Sequence, residues 1–203
     1  MEKTNWTVYS LRIELLHIKP FIWRRVWIPS DTVLQRLHKI IQVCMGWEDY
    51  HLHEFRIGEQ RYAVPSPEDF DRDLKDERGQ RLDRLLLPGI SEFLYLYDFG
   101  DGWEHRIVVE DQQVPRGLWS YPVCVAGERA CPPEDVGGPP GYDDFVRAMR
   151  DQYPHPDPQA DEDDDASEED ALAVGWIGGF YDPEGFDANA VNIKLAKMRK
   201  RSK

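Results

Sequence analysis

Tyr97-Asp98-Phe99-Gly100-Asp101-Gly102-Trp103-Glu104-His105 joins two short, largely apolar runs, Phe93 to Asp98 and Trp103 to Glu110. Runs of this length and composition read as strands, and so short a glycine-rich connection makes them a hairpin. A plain hairpin needs only the glycines or an Asp-Gly pair. Two aspartates, a tryptophan and a histidine on the same turn are a surplus that points to a site.

The flanking sequence extends this sheet. Between Tyr9 and Ile18, Leu11, Ile13 and Leu15 face one way and Arg12 and Glu14 the other, which predicts a strand with one buried face. After Pro20, the aromatic and β-branched run Phe21 to Ile28 predicts a second strand. Ser30 or Asp31 is placed to cap a helix carrying Leu34, Leu37, Ile41, Cys44 and Met45, and Gly46 stands where it should stop. Trp47 to Val64 returns to strand with a turn near Gly58. Pro65 to Arg81 reads as a loop, and Pro115 to Gly141, rich in proline and glycine, as largely irregular. Tyr142 to Gln152 predicts a short helix, and Asp187 caps a last one carrying Val191 and Leu195. Strands gather early and helices late. The expected fold class is α+β, a mainly antiparallel curved sheet with a helix after the second strand and helices near the C-terminus.

The chain has 203 residues and a formal charge of -13. Nine of its 38 acids fall between Asp157 and Asp170, leaving 29 against 25 bases elsewhere. The expected organisation is one domain formed by 1–156 and 171–198, an acidic flexible loop at 157–170 and a basic tail at 199–203. No run is apolar and long enough to span a bilayer, and the first residues lack a secretory signal layout. Three cysteines cannot all pair within one chain, so a reduced, cytoplasmic protein is expected. A phosphate-binding glycine loop, a Gly-x-Ser-x-Gly elbow and a His-Glu-x-x-His helix are all missing.

Four groups of residues are candidates for chemistry. On a strand, His51 and His53 would share one face with Phe55 and Ile57. His105 alternates with Trp103 and Ile107, and Asp98 and Asp101 flank the turn. Together His51, His53, His105, Asp98 and Asp101 could hold a divalent metal such as zinc, with an open position. Each also has an ordinary role: paired sheet-margin histidines, turn aspartates. The segment from Cys124 to Tyr142 could wall a pocket and bring Glu134 and Asp135 to it as acid, base or ligand. Its two cysteines, with six residues between them, are too widely spaced for a zinc knuckle. Trp23 and Arg25, with Tyr97, Trp103 and Tyr142, are candidate ligand-binding residues through stacking and hydrogen bonding. No basic face is large enough to argue nucleic-acid binding from charge.

These motifs resemble a known family. The Tyr97–His105 turn and Cys131-Pro132-Pro133-Glu134-Asp135-Val136-Gly137-Gly138 are similar to the two hallmarks of the plasmid pRiA4b open-reading-frame-three-like family. Pro20-x-x-Trp23-Arg24-Arg25, Gly46-Trp47 and His51-Leu52-His53-Glu54-Phe55 add to the likeness. The resemblance implies a single α+β domain found on chromosomes, plasmids and mobile elements, and brings no mechanism. Some relatives carry a transposon-resolvase label. This chain lacks the nucleophilic serine among phosphate-gripping arginines that a serine resolvase needs. Three functions follow as expectations: a ligand- or partner-binding module with a pocket under the Pro/Gly-rich loop, a metal-dependent hydrolase using the His/Asp residues, and a mobile-element-associated DNA-processing accessory protein. The module leads, because every candidate catalytic residue also has an adequate structural role.

Overall fold

The structure is a computed structural model and describes residues 7–65, 73–86, 88–113, 120–152 and 181–200. The acidic segment 157–170 lies outside the described residues. In chain order the elements are β1 (Val8–Leu15), β2 (Ile22–Pro29), α1 (Leu34–Met45), β3 (His53–Ile57), β4 (Gln60–Ala63), β5 (Leu74–Asp76), α2 (Leu82–Leu85), β6 (Glu92–Tyr97), β7 (Trp103–Gln113), β8 (Val123–Glu128), α3 (Gly138–Gln152) and α4 (Ala188–Lys200). The strands form one open sheet in the order β5-β4-β3-β6-β7-β1-β2-β8, antiparallel except for β4 with β5. This is the α+β architecture expected. The hairpin pairs Tyr97 with Trp103 and Tyr95 with His105. Irregularities between Ser10 and Leu11 and between Arg25 and Val26 bend the strands beside it. No helix among the described residues is long and apolar enough to cross a membrane.

The apolar faces predicted by alternation form the core. Leu11, Ile13, Leu15, Ile22, Val26, Tyr95, Tyr97 and Ile107 are fully buried with Leu34, Leu37 and Ile41 of α1. Strand β1 departs from the one-faced expectation, because Glu14 is buried too. Arg12 Nε lies 2.7 Å from Glu14 Oε1, and Arg106 Nε donates to Oε2 at 2.9 Å. The two guanidinium groups cover the carboxylate, while the Arg12 and Arg25 guanidinium carbons stand 4.4 and 5.3 Å from the Trp23 ring centre.

Helix α1 stops at Gly46, in the left-handed region at φ 100°, with its N–H donating to the Gln42 carbonyl. Its start differs from expectation. Neither Ser30 nor Asp31 caps it; Val33 takes the cap position without a side-chain bond, and the Leu34 N–H donates to the Gln80 carbonyl across the chain. Asp187 does cap α4, accepting the Asn189 N–H at 2.7 Å. Strands β5 and β8 arise inside segments expected to be irregular. Each is stabilised by an existing neighbour, β4 for one and β2 for the other, and local propensity alone does not reveal that.

Arg24 is 2% exposed, and its hydrogen bonds go to main-chain carbonyls: Nε to Cys44 (2.9 Å), Nη1 to Trp23 and Glu128 (both 2.8 Å), Nη2 to Arg129 (2.8 Å). It ties the end of α1 to β2 and the end of β8. On the far side of β8, the Asn192 side chain of α4 accepts the Cys124 N–H at 2.8 Å and donates to the Cys124 carbonyl at 2.7 Å.

Candidate functional site

The hairpin turn, the α1–β3 connection and the proline-rich loop after β8 meet at one place. Asp98, at the end of β6, takes φ 55°, a conformation that aspartate tolerates better than most residues. Its N–H donates to the Leu52 carbonyl at 2.9 Å, fastening the turn to the entry of β3. Its Oδ1 accepts the N–H groups of Gly100 (2.9 Å) and Asp101 (3.3 Å), and its Oδ2 lies 3.6 Å from His51 Nε2. Asp101 turns the other way and accepts the Gly137 N–H at 3.1 Å. Gly138 packs so closely here that a Cβ would stand 2.4 Å from the Asp101 carbonyl oxygen, and its φ is +72°. No larger residue fits without separating the loop from the turn.

That closure delivers Glu134 and Asp135 to His51. Asp135 Oδ1 is 2.9 Å and Glu134 Oε2 3.8 Å from His51 Nε2. Glu134 is held by the Tyr97 hydroxyl, which donates to its two oxygens at 3.1 and 3.2 Å, and by the Glu48 N–H at 2.8 Å. Burial first, and the Glu134 charge second, push the Tyr97 hydroxyl well above the ordinary phenol range, so it remains a donor. The N–H groups of Tyr50 and His51 donate to the same hydroxyl at 3.1 and 3.4 Å, and the Trp47 indole donates to the Pro132 carbonyl at 2.9 Å. Beneath the loop, Tyr181 donates to the Cys131 carbonyl at 3.0 Å and its oxygen meets the Tyr142 hydroxyl, also at 3.0 Å.

Three carboxylates therefore surround one imidazole nitrogen. His51 Nε2 is itself buried and has no hydrogen bond, because the near oxygens lie off the axis along which the ring could donate or accept. One ligand atom from each of His51, Asp98 and Asp135 can be chosen so that all lie within 4.8 Å of one another, the one such group of three among the described residues. Donors held 2.0–2.2 Å from a tetrahedral zinc ion would sit about 3.4 Å apart. The 2.9 and 3.6 Å separations bracket that value.

The three histidines expected to converge do not. His51 precedes β3, so the strand alternation that would align it with His53 does not reach it. His53 gives Nε2 to Glu77 Oε2 at 2.8 Å and stacks on His38, with centroids 3.5 Å apart and planes 4° from parallel. His105 is fully buried and points Nδ1 at the main-chain carbonyls of Trp103 (3.1 Å) and Tyr95 (3.3 Å). Burial holds its imidazole down at about 4, with the two carbonyls opposing. Asp101 serves the loop junction. Trp103 is core, 5.9 Å from Trp47 between ring centres, and Tyr142 is a buried support of the loop. Arg25 belongs to the outer ladder, its guanidinium forked on Glu110 at 2.6 and 2.7 Å beside Trp23.

Four residues escape the sequence reading: His38, Asp49, Glu77 and Tyr95. His38 Nε2 is 2.6 Å from Asp49 Oδ1, and Lys39 pairs with the other oxygen of that carboxylate. His38 Nδ1 is 2.8 Å from the Tyr95 hydroxyl, which accepts from Gln42 at 3.0 Å. Burial, then the neighbouring His53, lowers His38 to about 3 against the pull of Asp49. A histidine on the apolar stripe of α1 was the available signal; nothing local marks Glu77. The stacked pair borders a cavity of about 400 Å³ that His51 also lines. A second cavity, about 220 Å³, lies by Cys131 with Arg24, Cys44 and Phe186 on its wall. All three cysteines are free thiols.

An open, mainly antiparallel sheet with flanking helices makes this an α+β protein. Residues 7–190 match the family described as plasmid pRiA4b ORF-3-like protein, and the chain belongs to that family. It is similar to the uncharacterized protein y4hQ of Sinorhizobium fredii, 36% identical over 187 residues, covering 92% of this chain and 87% of that one. It is also similar to the crystal structure of MM3350, a protein of unknown function from Methanosarcina mazei Go1. There the TM-score is 0.77 at 33% identity, over 92% of this chain and 98% of that one.

Proposed function

We propose that this protein is a ligand-binding module centred on one divalent cation held by His51, Asp98 and Asp135. The observation that carries this is the state of His51 Nε2: buried, without a hydrogen bond, and within 3.8 Å of carboxylate oxygens from Asp98, Glu134 and Asp135. Carboxylates gathered this closely repel one another, and a cation removes that cost. One imidazole and two carboxylates suit zinc. With three free cysteines a reducing, cytoplasmic setting belongs to the same reading. Calorimetric titration of chelator-stripped protein with zinc chloride is expected to give one ion per chain. His51→Ala should weaken it about 100-fold, in line with the loss of a direct ligand where supporting residues alone are worth 10–100-fold. An unchanged affinity in that variant would sink the assignment.

A second reading, metal-dependent hydrolysis, is favoured by the position of Glu134. Three protein donors leave coordination positions for water, as in catalytic zinc sites. Glu134, fixed by Tyr97 and the Glu48 N–H, stands beside them as the base. In this reading Asp135 is a ligand, and zinc lowers the pKa of its bound water. Zinc-dependent cleavage of bis(4-nitrophenyl) phosphate is then expected to fall at least 100-fold in Glu134→Gln, with zinc affinity within a few-fold of the parent; equal turnover in both proteins excludes Glu134 as base. The mobile-element DNA role gains no support from Trp23 and Arg25, since that guanidinium is forked on Glu110.

A further inference from the structure

The cavity of about 400 Å³ has an unusual lining. Six large apolar side chains are exposed among the described residues, and three of them, Leu52 (68%), Val64 (46%) and Phe99 (53%), line this one hollow. Its size falls within the range of small-molecule pockets. An apolar lining open to solvent is what a ligand's hydrocarbon or aromatic body would cover.

The polar groups narrow the chemistry further. Both cations on the wall are already paired, Lys39 with Asp49 and Arg61 with Glu54, so neither is free to take an anionic ligand. A carboxylate can only accept, which makes His38 Nε2 and His53 Nε2 the N–H positions of their rings. His38 Nδ1 then accepts from the Tyr95 hydroxyl, which in turn accepts from Gln42, so both ring nitrogens of His38 are satisfied. His53 keeps one free ring acceptor, Nδ1. Behind it, Glu77 is fully buried and its Oε1 has no donor. At the His53–Glu77 end of the cavity, then, one acceptor, Glu77 Oε1, is buried without a donor, which is costly, and a second, His53 Nδ1, stands open to a ligand.

We propose that this cavity binds a small uncharged molecule with an aromatic body and one hydroxyl, the body resting on Leu52, Val64 and Phe99 and the hydroxyl donating to His53 Nδ1, which Glu77 positions from behind. The inference rests on the ligand-binding reading but does not require the cation. Phenol and anisole test it, because they share a ring and differ in the donor. In full-length protein labelled with ¹⁵N-histidine, phenol is expected to shift the His53 ring resonances and to bind at least tenfold more tightly than anisole, in the parent and alike in Asp135→Asn, which alters a cation ligand that does not line the cavity. Retention in that variant separates the cavity from the cation site, whose own failure would appear only in the zinc titration. Equal affinities for the two probes, or an unmoved His53, overturn the proposal. The unliganded spectrum supplies a check free of any variant: His53 should carry its proton on Nε2, and a proton found on Nδ1 overturns it.

Discussion

Between pH 6.5 and pH 4 the folded state is expected to lose about 6 kcal/mol relative to the unfolded chain, at about 1.4 kcal/mol per pH unit for each of two histidines. The two are His38 and His105, held at about 3 and about 4 against an ordinary 6.5. Both stay neutral in the folded protein because burial removes the water that would solvate an imidazolium. As pH falls below 6.5 the unfolded chain takes up these protons and the folded one does not, so unfolding becomes favoured. For His105 the loss ends near pH 4, where the folded form also protonates. Urea unfolding followed across this window should give a slope close to two protons at pH 5. A flat profile there would mean that neither ring is kept neutral by the fold. His105 gains no partner on protonation: its Nδ1 already faces two carbonyls, and Nε2, where the added proton would go, is buried without a hydrogen-bond partner.

The second large effect concerns neighbouring arginines on β2. Arg24→Met is expected to cost about 3 kcal/mol, and Arg25→Met less than about 1 kcal/mol. Arg24 satisfies four carbonyls from three segments and lies 4.2 Å from the Phe186 ring centre. Burying its charge is costly in itself, and burial is the main influence lowering its pKa. Methionine removes that cost but leaves buried acceptors without donors, and the second loss is the larger because charge-assisted bonds are each worth about 1.5–3 kcal/mol. Arg25 sits at the surface, where water replaces its fork on Glu110 at little cost. Comparing the urea midpoints of the two variants decides the matter; equal shifts would show that Arg24 is no more than a surface-like residue.

The sequence was most readable where one strand or helix carried its own pattern. Leu11, Ile13 and Leu15, the α1 stripe ending at Gly46, and the 97–105 hairpin all follow from periodicity and turn chemistry. Strands β5 and β8 do not, because three residues in one and a glycine-containing stretch in the other depend on a partner strand. The candidate site divides the same way. His51, Asp98, Glu134 and Asp135 stood out as residue types. That His51 meets the carboxylates and not the other histidines depends on how the loop after β8 folds back, which spacing cannot encode. Periodicity assigns His53 and His105 to a face but not to a neighbour; Glu77 claims one and main-chain carbonyls claim the other.

The Asn192 side chain, which answers both main-chain groups of Cys124, acts on the rim of β8 as a single residue of an additional strand would. An unprotected rim next to β2 would invite another copy of the chain to add on and continue the ribbon. With the amide of α4 in place, both main-chain groups of Cys124 are already taken, so at that position the rim offers nothing for a further strand to pair with.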